Sequence, residues 1–203
     1  MNNMPPLLFT LFLGLLLGIK HAFEADHVLA VSTIASGQKN PFKAAVVGAF
    51  WGIGHTTTLF IIGIMVLLLR ISIPESLGLL LEGLAGVMLI ILGIRVFKNK
   101  SSVNYHKHTT PFLIGLIHGL AGSGVLMILV LSTITELITG LYYILLFGIG
   151  SIIGMSLMSF LIGIPFSYSS SRFPKIETNL RLISGSLSII FGLVIIYQII
   201  LDL

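Results

Sequence analysis

Long apolar runs are the feature that most narrows what this chain can fold into. From residue 59 to 69 it reads Leu-Phe-Ile-Ile-Gly-Ile-Met-Val-Leu-Leu-Leu, and comparable runs recur along its 203 residues. Hydrophobic residues make up 56% of the chain and charged residues only 9%, where a soluble domain carries roughly a quarter charged. So few charges cannot clothe a surface that faces water. A soluble globular domain is excluded, and an integral membrane protein is expected. The runs do not alternate apolar with polar residues as membrane strands do. Helices remain, because each helix satisfies its own backbone hydrogen bonds in hydrocarbon. Pro, Asn and Lys/Arg clusters divide the runs into six expected spans, near residues 5–36, 42–70, 77–97, 111–135, 141–166 and 180–201. The first run lacks a basic leading segment and is long enough to cross, so it is expected to be a span and not a cleaved signal peptide.

The charges sort by loop. Lys39, Lys43, Arg95, Lys98, Lys100, Lys107, Arg172, Lys175 and Arg181 belong to the first, third and fifth loops, whereas the second and fourth hold only Arg70. This bias predicts cytoplasmic odd-numbered loops and both termini outside a cell membrane. The formal charge of +4 is then a topology signal, and no nucleic-acid partner is expected. The chain has no Cys, which excludes disulfides and thiolate metal sites. It also has no P-loop pattern, so it does not itself hydrolyse ATP.

The two halves resemble each other at a nearly constant offset. Gly18-Ile-Lys-His21 aligns with Gly115-Leu-Ile-His118, and Trp51-Gly-Ile-Gly54-His55 with Phe147-Gly-Ile-Gly150-Ser151. Val28-Leu29 aligns with Val125-Leu126, while Gly86 and Gly93 match Gly185 and Gly192. Each unit holds three spans, an odd number, so the halves are expected to insert in opposite orientations. The expected fold is all-α and integral to the membrane, with six transmembrane helices as two inverted three-helix repeats. Residues 1–100 form the first repeat, 101–110 a cytoplasmic loop and 111–203 the second repeat. In such proteins the substrate site lies near the midplane, where the repeats meet.

The informative polar residues lie within the spans. The segment Lys20-His21-Ala-Phe-Glu24-Ala-Asp26-His27 falls in the middle of the first run, His55 near the centre of the second and His118 in the fourth. A charge at mid-bilayer costs roughly 2.5–3.5 kcal/mol on insertion scales, so these groups need internal partners. Lys20 and Glu24 share a helix face at i,i+4 and are expected to neutralise each other. His21, Asp26, His27 and His55 make a nitrogen/oxygen ligand set of the kind suited to Ni, Co, Zn or Cu. On one regular helix, however, Asp26 lies about 140° and His27 about 240° round from His21. Either the helix breaks here and the two histidines converge, or only part of the set ligates and Asp26 orients an imidazole from behind. An unbroken first helix would be about 48 Å long, which favours the break. His118, Glu24 and Ser123 are auxiliary candidates. Gly52, Gly54, Gly119, Gly122 and Gly124 mark places where helices approach closely, and Thr56, Thr57 and Thr58 can cap freed backbone groups. The pair His106 and His108 reads as part of a solvated loop.

These motifs resemble the nickel/cobalt permease (NiCoT) family. His21-x4-Asp26-His27, within Gly18-Ile-Lys-His-Ala-Phe-Glu-Ala-Asp-His-Val-Leu-Ala-Val31, is similar to its signature helix; Phe50-Trp-Gly-Ile-Gly-His55-Thr resembles its second motif, and Gly154-Met-Ser-Leu157 the start of a later one. Two departures are visible. The longer members carry an intramembrane Asp where this chain has Met158-Ser159, and another Asp-containing motif where it reads His118-Gly-Leu-Ala-Gly-Ser123-Gly. The glycine-rich version resembles the short, UreH-like branch. The resemblance implies that His21, Asp26 and His27 bind the ion, with His55 beside them, and that the cargo is Ni²⁺ or Co²⁺.

The function expected is a permease moving such an ion by alternating access, with no resident cofactor and no enzymatic turnover. Its partners are the ion and the lipid bilayer, and a homo-oligomer stays open. Alternatives are export of a metal or small anion by the same fold, and an intramembrane zinc hydrolase with water activated near Glu24.

Overall fold

A computed structural model describes residues 6–36, 38, 40–69, 74–98, 108–120, 131, 133–134 and 136–202. These residues form seven delimited helices. They are α1 Pro6–His21, α2 Ala25–Ala35, α3 Pro41–Leu69, α4 Glu75–Lys98, α5 Thr109–Leu120, α6 Leu137–Arg172 and α7 Pro174–Asp202. Four of them are long and apolar enough to cross a membrane, and α1 with α2 qualify as one span bent by 55°. Many large apolar side chains on their outer faces, among them Phe12, Ile61, Leu80 and Ile190, are exposed, as lipid-facing surfaces require. The protein is an all-helical, multi-pass membrane protein. Of the fourth expected span, α5 covers the start, while residues 121–130, 132 and 135, Ser123 included, lie outside the described residues.

Helix ends follow local chemistry. Asn40 precedes Pro41, and its Oδ1 accepts from the Phe42 N–H at 2.8 Å, a side-chain cap with proline in the first turn. Pro174 lacks an N–H to continue α6, and Phe173 before it leaves the helical region (φ −139°, ψ 74°), so α6 and α7 separate there. Arg181, expected as a loop charge, instead lies within α7. It is buried and donates to the Val96 carbonyl at 3.4 Å, in the last turn of α4, where a cation is favoured.

The break between α1 and α2 occurs where the sequence phasing predicts one. The Phe23 N–H donates to Lys20 O at 2.9 Å and the Glu24 N–H to His21 O at 3.1 Å, a tightened last turn. Glu24 is extended (φ −65°, ψ 150°), and α2 starts after it. The expected pairing of Lys20 with Glu24 does not occur. The i,i+4 rule assumes a continuous helix, and the break carries Glu24 off that face. Among the described residues Lys20 makes no ion pair, and the Glu24 carboxylate lies 3.2 Å from His21 Nδ1.

The helices pack around α3 and α6, with α1 against α6, α5 against α3, and α4 paired with α7. The tight crossings rest on missing Cβ atoms. At the α1–α6 crossing, a Cβ on Gly18 would run into the Phe147 carbonyl and one on Gly150 into the Leu15 carbonyl. At the α5–α3 crossing, a Cβ on Gly115 would meet the Trp51 carbonyl and one on Gly54 the Phe112 carbonyl. The glycines and aromatic residues of the two seams are those that the sequence repeat aligns. In the α4–α7 pair, a Cβ on Gly86 would lie 3.0 Å from Gly192 O and one on Gly93 2.5 Å from Gly185 O.

Gly54→Val should therefore force the α3–α5 seam apart and cost roughly 1–3 kcal/mol or more. Gly78→Ala, at a position with nothing within 4 Å, should leave stability unchanged or slightly raised. Thermal unfolding of the two detergent-purified variants checks this, and equal melting temperatures would contradict it.

Candidate metal centre

The break, the α5–α3 seam and α3 together bring five chemistry-bearing side chains to one place. The chain turns after His21, which lets His21 at the end of α1 and His27 in the first turn of α2 face each other, with ring centroids 4.5 Å apart. His55 comes from the middle of α3, and its Nε2 lies 3.0 Å from His21 Nε2. Its ring is 5.0 Å from that of His27. Ring nitrogens of His21, His27 and His55, one from each, all lie within 4.8 Å of one another. His118, in the last turn of α5, stacks on His27 with centroids 4.3 Å apart. It reaches this position because α5 lies close on α3: a Cβ at Gly119 would stand 2.5 Å from His55 O.

Asp26 joins the two sides of the cluster. His27 Nδ1 donates to Asp26 Oδ1 at 2.9 Å and His118 Nε2 donates to Oδ2 at 2.8 Å, since an ionised carboxylate can only accept. With its Nδ1 proton held there, His27 presents Nε2 as a lone pair, and the carboxylate fixes the orientation of the ring. All four histidines are buried. His27 Nε2, His55 Nδ1 and His118 Nδ1 have no hydrogen-bond partner among the described residues, and His21 Nδ1 has only the imperfectly aligned Glu24 carboxylate. Buried polar atoms left open in this way ask for a ligand.

Trp51 closes one side of the cluster, with its ring 5.4 Å from that of His27 and 5.5 Å from that of His118. Hydroxyls tie the surrounding helices together. Thr58 donates to Leu116 O at 2.9 Å and Thr56 to Gly148 O at 3.2 Å. His108 is exposed and stacks on Phe50 at 4.2 Å, away from the cluster, while His106 lies outside the described residues.

The structure thus gathers His21, Asp26, His27 and His55, keeps Glu24 at the edge and leaves Lys20 outside. His118, an auxiliary candidate in the sequence, joins the same cluster. The alignment of His118 with His21 was the available signal. Trp51 as a wall had no signal beyond its place one turn before His55.

Fold and site define a multi-pass membrane protein with a buried histidine–carboxylate cluster. The chain is 38% identical to the urease accessory protein UreH of Bacillus sp. (strain TB-90), over 95% of this chain and 92% of that protein. It is 30% identical, over 92% of each chain, to a protein of Methanocaldococcus jannaschii provisionally named a nickel/cobalt efflux system. The chloroplast protein FOR GROWTH AND FERTILITY 1 of Arabidopsis thaliana is 25% identical over 90% of this chain, which spans 57% of that longer protein. No family profile and no solved structure matches the chain. The chain belongs to the nickel/cobalt permease family, in its short UreH-like branch.

His118→Leu should remove one donor from the buried Asp26 carboxylate and destabilise the protein by about 1–3 kcal/mol. Lys20→Gln should stay within about 0.5 kcal/mol of wild type. Thermal unfolding decides, and a large loss for Lys20→Gln alone would reverse the assignment of partners.

Proposed function

We propose that this protein is a secondary transporter that carries Ni²⁺ or Co²⁺ across the cytoplasmic membrane, in the direction of uptake, through a midplane site of His21, Asp26, His27 and His55. In this reading residues 1–100 and 111–203 are inverted three-helix repeats, the loop at 101–110 is cytoplasmic and both termini are outside. The matched glycine seams and the loop charge bias support that arrangement.

The observation that carries the reading is the convergence of three buried imidazoles beside one carboxylate. Two nitrogens bound to one ion at about 2.1 Å stand about 3.0–3.4 Å apart for right-angle to tetrahedral geometry. His21 Nε2 and His55 Nε2 are already at 3.0 Å. One of these nitrogens donates to the other, so ligation moves that proton outward. At His21 the receiving edge is Nδ1, which faces Glu24. Asp26 supplies negative charge and holds the His27 tautomer. The family supports a nickel or cobalt cargo, and the relatives' names denote transport or an accessory role. Export is the second reading, favoured by the name of the Methanocaldococcus relative. Flux into and out of vesicles of defined orientation separates the two.

Uptake of labelled Ni²⁺ by His21→Ala or Asp26→Asn, at matched expression, should fall at least about tenfold. Wild-type rates would sink the site assignment. Uptake should also weaken as pH falls, because protons compete with the ion for imidazole. Trp51 is the chain's single tryptophan and lies against His27. Co²⁺ should therefore quench its emission in wild-type protein, and His55→Ala should weaken that quenching.

A further inference from the structure

We propose that Asp26, His27 and His118 form a second ion position beside that of His21, His27 and His55, and that the His27 ring, common to both, hands the ion from one to the other. This rests on the transport reading above and adds the route of the ion within the site.

Two donor sets meet the same geometric condition. Atoms of Asp26, His27 and His118 lie within 4.8 Å of one another, as do those of His21, His27 and His55. His27 belongs to both and uses its two ring edges differently: Nδ1 faces Asp26, while Nε2 is buried and unpartnered. The rings of His21 and His118 both lie against it, at 4.5 and 4.3 Å. Each of these outer histidines sits in the last turn of an apolar helix, α1 and α5 respectively. Helix C-terminal ends favour cations.

The sequence repeat pairs His21 with His118, and the helices carrying them seat on α6 and α3 through matched glycines. In the inverted-repeat reading proposed above, three crossings separate the start of α1 from the start of α5, so the two histidines reach His27 from opposite faces of the membrane. An ion that steps between the sets exchanges one edge of the His27 ring for the other. While Nε2 binds, Nδ1 carries a proton held by Asp26. As the ion crosses, Nδ1 gives up that proton through Asp26 and takes the ion, and the released Nε2 takes up a proton, with no net change in the protons the ring carries. His118 likewise moves its proton to the unpartnered Nδ1 when Nε2 ligates.

The test uses purified full-length protein, with Co²⁺ binding read by titration and by its visible absorption, and uptake measured in proteoliposomes. His118→Gln retains an N–H for Asp26 but is a poor ligand, and His118→Asn replaces it if the glutamine variant does not elute as folded protein. His21→Gln and His118→Gln should each still bind one Co²⁺, with affinity lowered no more than about tenfold, and each should lose uptake by at least about tenfold. X-ray absorption should count two imidazoles on cobalt in His21→Gln and three in His118→Gln. The double variant should lose saturable binding.

Wild-type uptake in His118→Gln, or complete loss of binding in His21→Gln, would overturn the relay and leave the transport reading standing. A wild-type protein that neither binds nor moves Ni²⁺ or Co²⁺ would overturn the transport reading, and the relay with it.

Discussion

A carboxylate placed among membrane helices has to be met by donors on both oxygens, and at Asp26 those donors are His27 and His118. Much of the surrounding fold serves that meeting. The helix must break after His21 so that Asp26 and His27 turn inward together. The α5–α3 seam must be stripped of side chains at Gly54, Gly115 and Gly119 so that His118 comes within reach. Larger residues at the seam would separate the helices and strand the carboxylate. The glycine pattern and the polar cluster are therefore two parts of one solution, in which close backbone approach makes buried polar pairing affordable.

Both kinds of feature were legible in the chain to different degrees. The membrane class followed from charge scarcity. The angular phase of His21, Asp26 and His27 allows either a break or a partial ligand set, and the length of the first run favours the break. The Lys20–Glu24 pairing failed for the same reason that the break succeeded. A rule for side chains on one helix face was applied across a residue, Glu24, whose extended backbone ends that face. Arg181 stands at the edge of an apolar run, where the sequence alone points to a loop charge. Helix propagation from Pro174 instead buries it against the end of α4. The role of His118 is tertiary: it depends on how closely α5 approaches α3, and spacing within one helix does not encode that distance.

The cluster also explains why Met158-Ser159 can stand where longer relatives have a carboxylate. Ser159 Oγ donates to its own helix at Met155 O, 2.7 Å away, and packs against Gly48. That region of α6 is a closed helix contact with α3, so its hydroxyl is satisfied locally and adds no charge to the ion's surroundings. Negative charge in the donor sets therefore comes from Asp26 alone, with Glu24 at the margin. One carboxylate only half-neutralises a divalent ion. In the transport reading proposed above, weak net attraction suits a carrier, which has to release its cargo as well as hold it.

In the transport reading proposed above, direction follows from energetics more than from the donor set. Moving one elementary charge through 100 mV is worth about 2.3 kcal/mol, so a divalent ion drawn toward an inside-negative face gains roughly 4.6 kcal/mol. That corresponds to about three powers of ten in concentration ratio. A carrier with the two donor sets described here, and no ATP-binding motif, runs inward unless another ion is made to move with enough free energy to reverse it. A counter-ion site would need ionisable groups beyond those that hold the metal. Within the helix core, Glu24 is the only carboxylate beside Asp26 among the described residues that faces the cluster. Its position on His21 Nδ1 makes it a partner of the first proposed ion position.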